Sequence, residues 1–171
     1  MRDQTACFTG HRKIAPGQQN LVAGRLINTI ESLISEGYRY FGAGGALGFD
    51  TIAAQCILHL KKQYPHIKLI LVLPCKTQTQ SWDSEDIAIY EQIKKQADKV
   101  VYTSKEYTRD CMFRRNRHLV DNSSVCIAYL TQNKGGTAYT VDYARKKGFG
   151  LSIWRIESKR KLQKSFRKFT I

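Results

Sequence analysis

A chain of 171 residues with 42% hydrophobic and 25% charged side chains has the size and composition of one ordinary globular domain, which excludes a disordered or fibrous chain. No apolar run approaches the roughly 20 residues that span a bilayer, and the opening MRDQTACF has no signal-peptide core, so the expected setting is cytoplasmic, with no membrane partner. Lysine and arginine number 28 against 14 acids, and a net charge of +14 favours a polyanion or nucleotide partner by Coulomb attraction.

In chain order, short apolar strands alternate with amphipathic helical stretches. Thr5–Thr9 is the first strand, and Gln18 to Glu36 is helical, with Leu21, Val22, Leu26, Ile30, Leu33 and Ile34 on one stripe and Gly37 as its stop. Tyr38–Gly42 is a second strand, followed by the glycine cluster Gly42, Gly44, Gly45 and Gly48. Ile52, Cys56, Ile57 and Leu60 mark the second helix, with Pro65 beyond its end. Lys68–Leu73 is a continuous apolar run of the kind buried on both faces of a parallel sheet. Ser84 to Ala97 is helical, capped by Asp83 or Ser84, with Glu85 and Asp86 in its first turn. Lys99–Tyr102, Ser124–Leu130 and Leu151–Trp154 are strands, separated by helices at Arg109–Asp121 and Gly136–Lys147. The expected fold is α/β: a single three-layer Rossmann-like domain over residues 1–154, mostly parallel sheet with helices on both faces. Residues 155–171 form a basic tail with seven basic residues and one acid.

Five cysteines, Cys7, Cys56, Cys75, Cys111 and Cys126, form no C-x-x-C pair and no metal-like spacing, and the four histidines are scattered. Reduced thiols and no metal site are expected.

In a doubly wound sheet, ligands bind beyond the carboxyl ends of the strands, where the strand order reverses. Three loops stand there. Thr9-Gly10-His11-Arg12 offers a hydroxyl, a tight turn and a planar cation suited to phosphate, or else a solvated polar turn. Gly44, Gly45 and Gly48 run from the second strand into a helix, where free N–H groups receive an anion. Asp50 at that helix start is either an N-cap or an acceptor for ribose hydroxyls. Gly135, Gly136 and Thr137 open the last helix in the same way. The run Met112-Phe113-Arg114-Arg115-Asn116-Arg117 is a solvated helix face, or turns one arginine and Asn116 toward a phosphate. Trp82 either stacks on a base or covers the core.

These pieces in this order resemble the YpsA-like branch of the SLOG superfamily, which groups the DNA-processing protein Smf/DprA with the LOG phosphoribohydrolases. The resemblance rests on FTGHR, GGALGFD, the Trp82-Asp83-Ser84 run, RRNRHLVDNS and GGTAYTVDYA, and spans about Ala6 to Trp154. It implies a pocket for a nucleotide or nucleotide-derived ligand of the ADP-ribose, NAD or ribose-phosphate type. By matching motif, the pocket uses Thr9, Gly10, His11, Arg12, Gly44, Gly45, Gly48, Asp50, Arg115, Asn116, Gly135, Gly136 and Thr137. It also implies self-association. The LOG hydrolases share a P-G-G-x-G-T-x-x-E stretch with a catalytic glutamate, and alignment on Gly136-Thr137 puts Thr140 at that position.

Three readings stand in order. The first is a nucleotide-ligand-binding protein with a sensing or regulatory role and no fixed cofactor. The second is a hydrolase or transferase at the ribose–base bond, with Asp50 as the catalytic carboxylate. The third is Smf/DprA-like nucleic-acid binding through the basic surface and tail.

Overall fold

The computed structural model describes residues 1–148 and 150–154. The basic tail, 155–171, lies outside the described residues. A 3-10 turn at Arg2–Gln4, which the sequence pattern does not announce, precedes the first strand. The order is then β1 (Thr5–Gly10), α1 (Gln19–Ser35), β2 (Tyr40–Ala43), α2 (Phe49–Leu60), β3 (Lys68–Leu73) and α3 (Ser84–Gln96). It continues with β4 (Lys99–Tyr102), α4 (Cys111–Asp121), β5 (Val125–Tyr129), α5 (Gly135–Lys146) and β6 (Gly150–Trp154).

All six strands pair in parallel, in the order β4-β3-β2-β1-β5-β6. Parallel neighbours need a crossover, and a right-handed crossover fixes the face on which each helix lands. Steps from β1 outward to β4 place α1, α2 and α3 on one face. The return from β4 to β5 puts α4, and then α5, on the other. Each strand therefore divides its side chains between two cores. Ala6, Phe8, Phe41, Leu69, Leu71 and Ile127 pack with Leu26 and Ile30 of α1, Ile57 of α2 and Ile93 of α3. Cys7, Val72 and Cys126 pack against Leu119 and Val120 of α4 and Ala144 of α5. This is why β3 reads as KLILVL with no polar alternation. Burial of each such aliphatic side chain contributes about 1.5–3 kcal/mol.

Element ends follow local hydrogen bonding. α1 closes where the Gly37 N–H donates to the Ile34 carbonyl and the Tyr38 N–H to Leu33, so β2 begins at Tyr40 rather than Tyr38. Asp83 caps α3, its Oδ1 accepting from the Asp86 N–H at 2.8 Å. α4 begins at Cys111, two residues after the expected Arg109. Trp82 meets Tyr90 edge-to-face at 5.5 Å and packs on the core, which resolves its role toward packing. All five cysteines are free and buried, and burial raises the Cys56 thiol to about 11.

Asp98 ties the far ends of three elements together. It accepts from Lys61 Nζ at 2.6 Å, from the Leu69 N–H at 2.9 Å and from Lys68 Nζ at 3.2 Å. Partial burial pushes its carboxyl up, but these three donors outweigh it and hold the group below the usual carboxylate value. A depressed carboxylate stabilises the fold above its unfolded value and loses that contribution as pH falls through the folded one. Asp98→Asn is expected to lower stability near pH 7 by roughly 1 kcal/mol, the partly exposed setting limiting the effect. Urea unfolding at several pH values should show the difference from the parent shrinking below about pH 4.

Candidate functional site

The strand order reverses between β1 and β5, so the loops after these strands diverge to opposite faces and leave a crevice. Three buried rings support it from within the core: Phe8 meets Phe49 edge-on at 6.5 Å, and Phe49 stacks on Tyr129 at 5.5 Å. The loop after β1 is pinned from both sides. The His11 N–H donates to the Tyr129 carbonyl at 3.4 Å, and the His11 carbonyl accepts from the Phe49 N–H at 3.3 Å.

Gly48 is the N-cap of α2 and has φ +75, and a Cβ there would fall on the Arg12 carbonyl. Only glycine meets both conditions. Asp50 is therefore not the cap of α2. It sits in the first turn, buried, and reaches back to the glycine loop, where the backbone N–H groups of Ala46 and Gly44 donate to its carboxylate. Across from it Arg115, equally buried, places Nη1 3.9 Å from Asp50 Oδ2. The same guanidinium donates to the Gly44 carbonyl, and its Nε donates to Asn116 Oδ1 at 2.7 Å. A Cβ on Gly44 would meet both Arg115 and Asp50, so the glycine makes room for the pair.

Burial raises the Asp50 carboxyl, opposed by the Arg115 charge and the loop N–H groups. Burial likewise lowers Arg115, with Asp50 opposing. A guanidinium starts so far above neutrality that Arg115 stays charged, and Asp50 is its counter-ion. His11 is pulled below its usual value by burial, and its Nε2 accepts from the Gln132 N–H at 3.3 Å. It is thus a neutral imidazole linking the loop after β1 to the loop after β5.

These groups enclose a cavity of about 460 Å³. Of the residues expected from sequence, Thr9, Gly10, His11, Arg12, Asp50, Arg115, Asn116, Gly136 and Thr137 line it. Gly44 lies behind the ion pair, and Gly45 faces β3 and α3, its carbonyl accepting from Gln78 Nε2 at 3.0 Å. Gly48 lies under Arg12, and Gly135 at the start of α5 is exposed and outside the lining. Arg115 is bound up with protein groups, so the exposed cations at the rim are Arg12 and its neighbour Lys13. Lys13, Gln132, Met112 and Phe113 join the wall without having been singled out as binding residues. The adjacency of two cations after β1 was the available signal for Lys13. The wall combines cations, amide groups and one apolar side, a composition suited to a phosphorylated heterocycle. Among the described residues no group of three or more metal-ligating side chains occurs, and no helix is long and apolar enough to cross a membrane.

The family model for YpsA, described as the YspA SLOG family, matches residues 15–160, and the chain belongs to that family. It is 32% identical over 145 residues to the uncharacterized SPbeta prophage-derived protein YoqJ of Bacillus subtilis, covering 77% of this chain and 85% of YoqJ. A UPF0398 protein of Bacillus cereus is 28% identical over 122 residues, 70% of this chain, which spans about two thirds (66%) of that relative's length. Among solved structures, DNA processing protein A from Helicobacter pylori superposes with TM-score 0.62 at 17% identity, covering 95% of this chain and 73% of that one. The last likeness fixes the Rossmann-like fold.

Removing one member of a buried ion pair strands the other. Asp50→Ala and Arg115→Met are each expected to cost about 3–5 kcal/mol in urea unfolding. The double variant should lose clearly less than the sum of the two, because the second change removes the stranded charge.

Proposed function

We propose that this YpsA-family chain binds a nucleotide or nucleotide-derived ligand of the ADP-ribose, NAD or ribose-phosphate type in the crevice between β1 and β5, in a sensing or regulatory role. The observation that carries the reading is the pairing of a pre-built cavity with rim cations that meet no carboxylate within ion-pair distance among the described residues. Arg12 supplies a planar fork for phosphate, the first turn of α5 supplies Gly136 and Thr137, and the second turn of α4 supplies the Asn116 amide. Met112 and Phe113 give an apolar wall against which a base can lie, and Phe113 is 39% exposed.

Turnover at the ribose–base bond has weaker support. It needs a carboxylate free to stabilise an oxocarbenium-like centre or to activate water. Asp50, the one carboxylate in the lining, already faces Arg115. At the position where the LOG hydrolases carry glutamate, the Thr140 hydroxyl donates to the Gly136 carbonyl within its own helix. We therefore read Asp50 as an anchor of the glycine loop.

A specific observation also favours nucleic acid as a second reading. The similar structure from Helicobacter pylori is described as having a single-stranded DNA binding mode, and this chain carries a net charge of +14. Residues 155–171 are read as an appended basic segment serving such a partner.

Arg12 and Phe113 are exposed, which makes them cleaner probes of binding than Asp50. In calorimetric titration with AMP and UMP, saturable binding to the parent is expected, with Arg12→Glu weakening it tenfold or more at unchanged melting temperature and Phe113→Ala weakening it as much at a loss of only about 1 kcal/mol of stability from its Tyr139 contact. A ligand present at 100 times its dissociation constant should stabilise the parent by about 2.7 kcal/mol. For the second reading, anisotropy of a labelled single-stranded oligonucleotide should show log affinity falling with log salt by roughly 0.7 per phosphate neutralised. Displacement of the oligonucleotide by AMP would place both ligands in one crevice.

A further inference from the structure

A second cavity, of about 820 Å³, adjoins the first across Arg12 and Lys13, which line both. It opens between the loop after β1, the outer side of α2 and the start of α3. Its polar lining is made of the amides of Gln19 and Gln55, the hydroxyls of Thr51 and Thr131, and the carboxylate of Asp86. Both cavities have apolar members, such as Ile14 and Ile52 in the second, and the first has amides of its own at Asn116 and Gln132; what sets the first apart is the exposed ring of Phe113.

The partition between the two is fixed in its backbone and free in its charges. His11 is bonded to Phe49 and Tyr129, and the Arg12 carbonyl rests on Gly48. The side chains of Arg12 and Lys13 are exposed, and neither lies within ion-pair distance of a carboxylate among the described residues. Two cations without a carboxylate in ion-pair contact thus stand on a ridge between two chambers, of which the first offers an exposed ring and the second the amide of Gln55 and the carboxylate of Asp86. A guanidinium takes a phosphate through two N–H bonds, and an ammonium beside it meets a second phosphate as a point charge. Amides and a carboxylate are the groups that pair with vicinal sugar hydroxyls, since each hydroxyl both donates and accepts.

We propose that the ligand is a diphosphate-bridged nucleotide sugar. Its nucleoside end lies in the first cavity, its diphosphate crosses Arg12 and Lys13, and its second sugar is held by Gln55 and Asp86 in the second. This rests on the nucleotide reading above and deepens it, because a mononucleotide would fill only one chamber.

The test compares the full chain with its Gln55→Leu and Asp86→Ala variants, both changed at the surface of a helix and away from the buried ion pair. Calorimetric titration uses AMP, UMP, ADP-ribose and UDP-glucose. At least one diphosphate sugar is expected to bind the parent tenfold or more tighter than its matching mononucleotide. Each variant should remove most of that gain while leaving mononucleotide affinity within about twofold. Equal affinity of mononucleotide and diphosphate sugar in the parent, or an affinity ratio unchanged in both variants, overturns the proposal and leaves the nucleotide reading standing. Failure of all four compounds to bind overturns both.

Discussion

A carboxylate and a guanidinium taken out of water must satisfy each other or unfold the surroundings, and the architecture of this site follows from that requirement. Asp50 and Arg115 come from helices on opposite faces of the sheet, α2 and α4, and meet over its carboxyl edge. Desolvating both charges is costly, so their remaining hydrogen-bonding capacity has to be filled. The glycine loop fills it with the N–H groups of Ala46 and Gly44 for the acid and the Gly44 carbonyl for the base. No side chain fits at position 44 once the pair is in place. The glycines thus serve the protein's own charges before they serve a ligand. One consequence is rigidity: the loop after β2 is held between two helices, and the loop after β1 is laid on Gly48. A cavity built this way needs little ordering when a ligand arrives, which spares affinity the cost of immobilising loops.

Much of this was legible in the sequence, and for identifiable reasons. A parallel sheet covered on both faces leaves runs such as Lys68–Leu73 without polar interruption, so strand positions come through clearly. Glycine-rich turns after strands then locate the crevice, since the reversal of strand order sits at the carboxyl ends of β1 and β5. The partners of individual charges were not legible. Nothing in Arg114-Arg115-Asn116-Arg117 distinguishes the buried guanidinium from its exposed neighbours, because one helix turn carries all of them and tertiary contacts select among them. Asp50 reads as a cap from position alone, yet Gly48 holds that place and the acid points inward. The second cavity was invisible for a related reason. Gln19, Gln55 and Asp86 lie on three separate helices, where each is an ordinary polar surface residue until the fold brings them together.

The uneven distribution of helices also bears on where a large partner can approach. Three helices cover one face, while α4 and α5 cover the other. The aromatic residues Phe113, Tyr139 and Tyr143 form a line along this second layer, with ring centroids 4.8 and 6.3 Å apart. Arg117 donates to the Tyr139 hydroxyl and Lys147 lies over the Tyr143 ring, so part of the positive charge here is already engaged by π-systems and hydroxyls. Asp110, Asp142 and Asp121 pair with Arg114, Arg145 and Lys147 on this side, so the count of cations overstates the field available to a polyanion here. The rim cations Arg12 and Lys13 meet no carboxylate within ion-pair distance among the described residues.

That contrast decides which chemistry the crevice suits. An oxocarbenium-like transition state gains from negative charge close to the sugar, whereas bound phosphate gains from positive charge. Within the crevice the single lining carboxylate is offset by Arg115 at 3.9 Å, and Arg12 and Lys13 add two positive charges that no carboxylate among the described residues meets within ion-pair distance. The sum is a positive field in the crevice. Such a field would lower the free energy of a phosphorylated ligand in its ground state and raise that of a developing cation at the anomeric carbon. On the proposed reading, a site of this polarity would hold a nucleotide better than it would cleave one, and turnover would require a carboxylate from outside the lining to enter it.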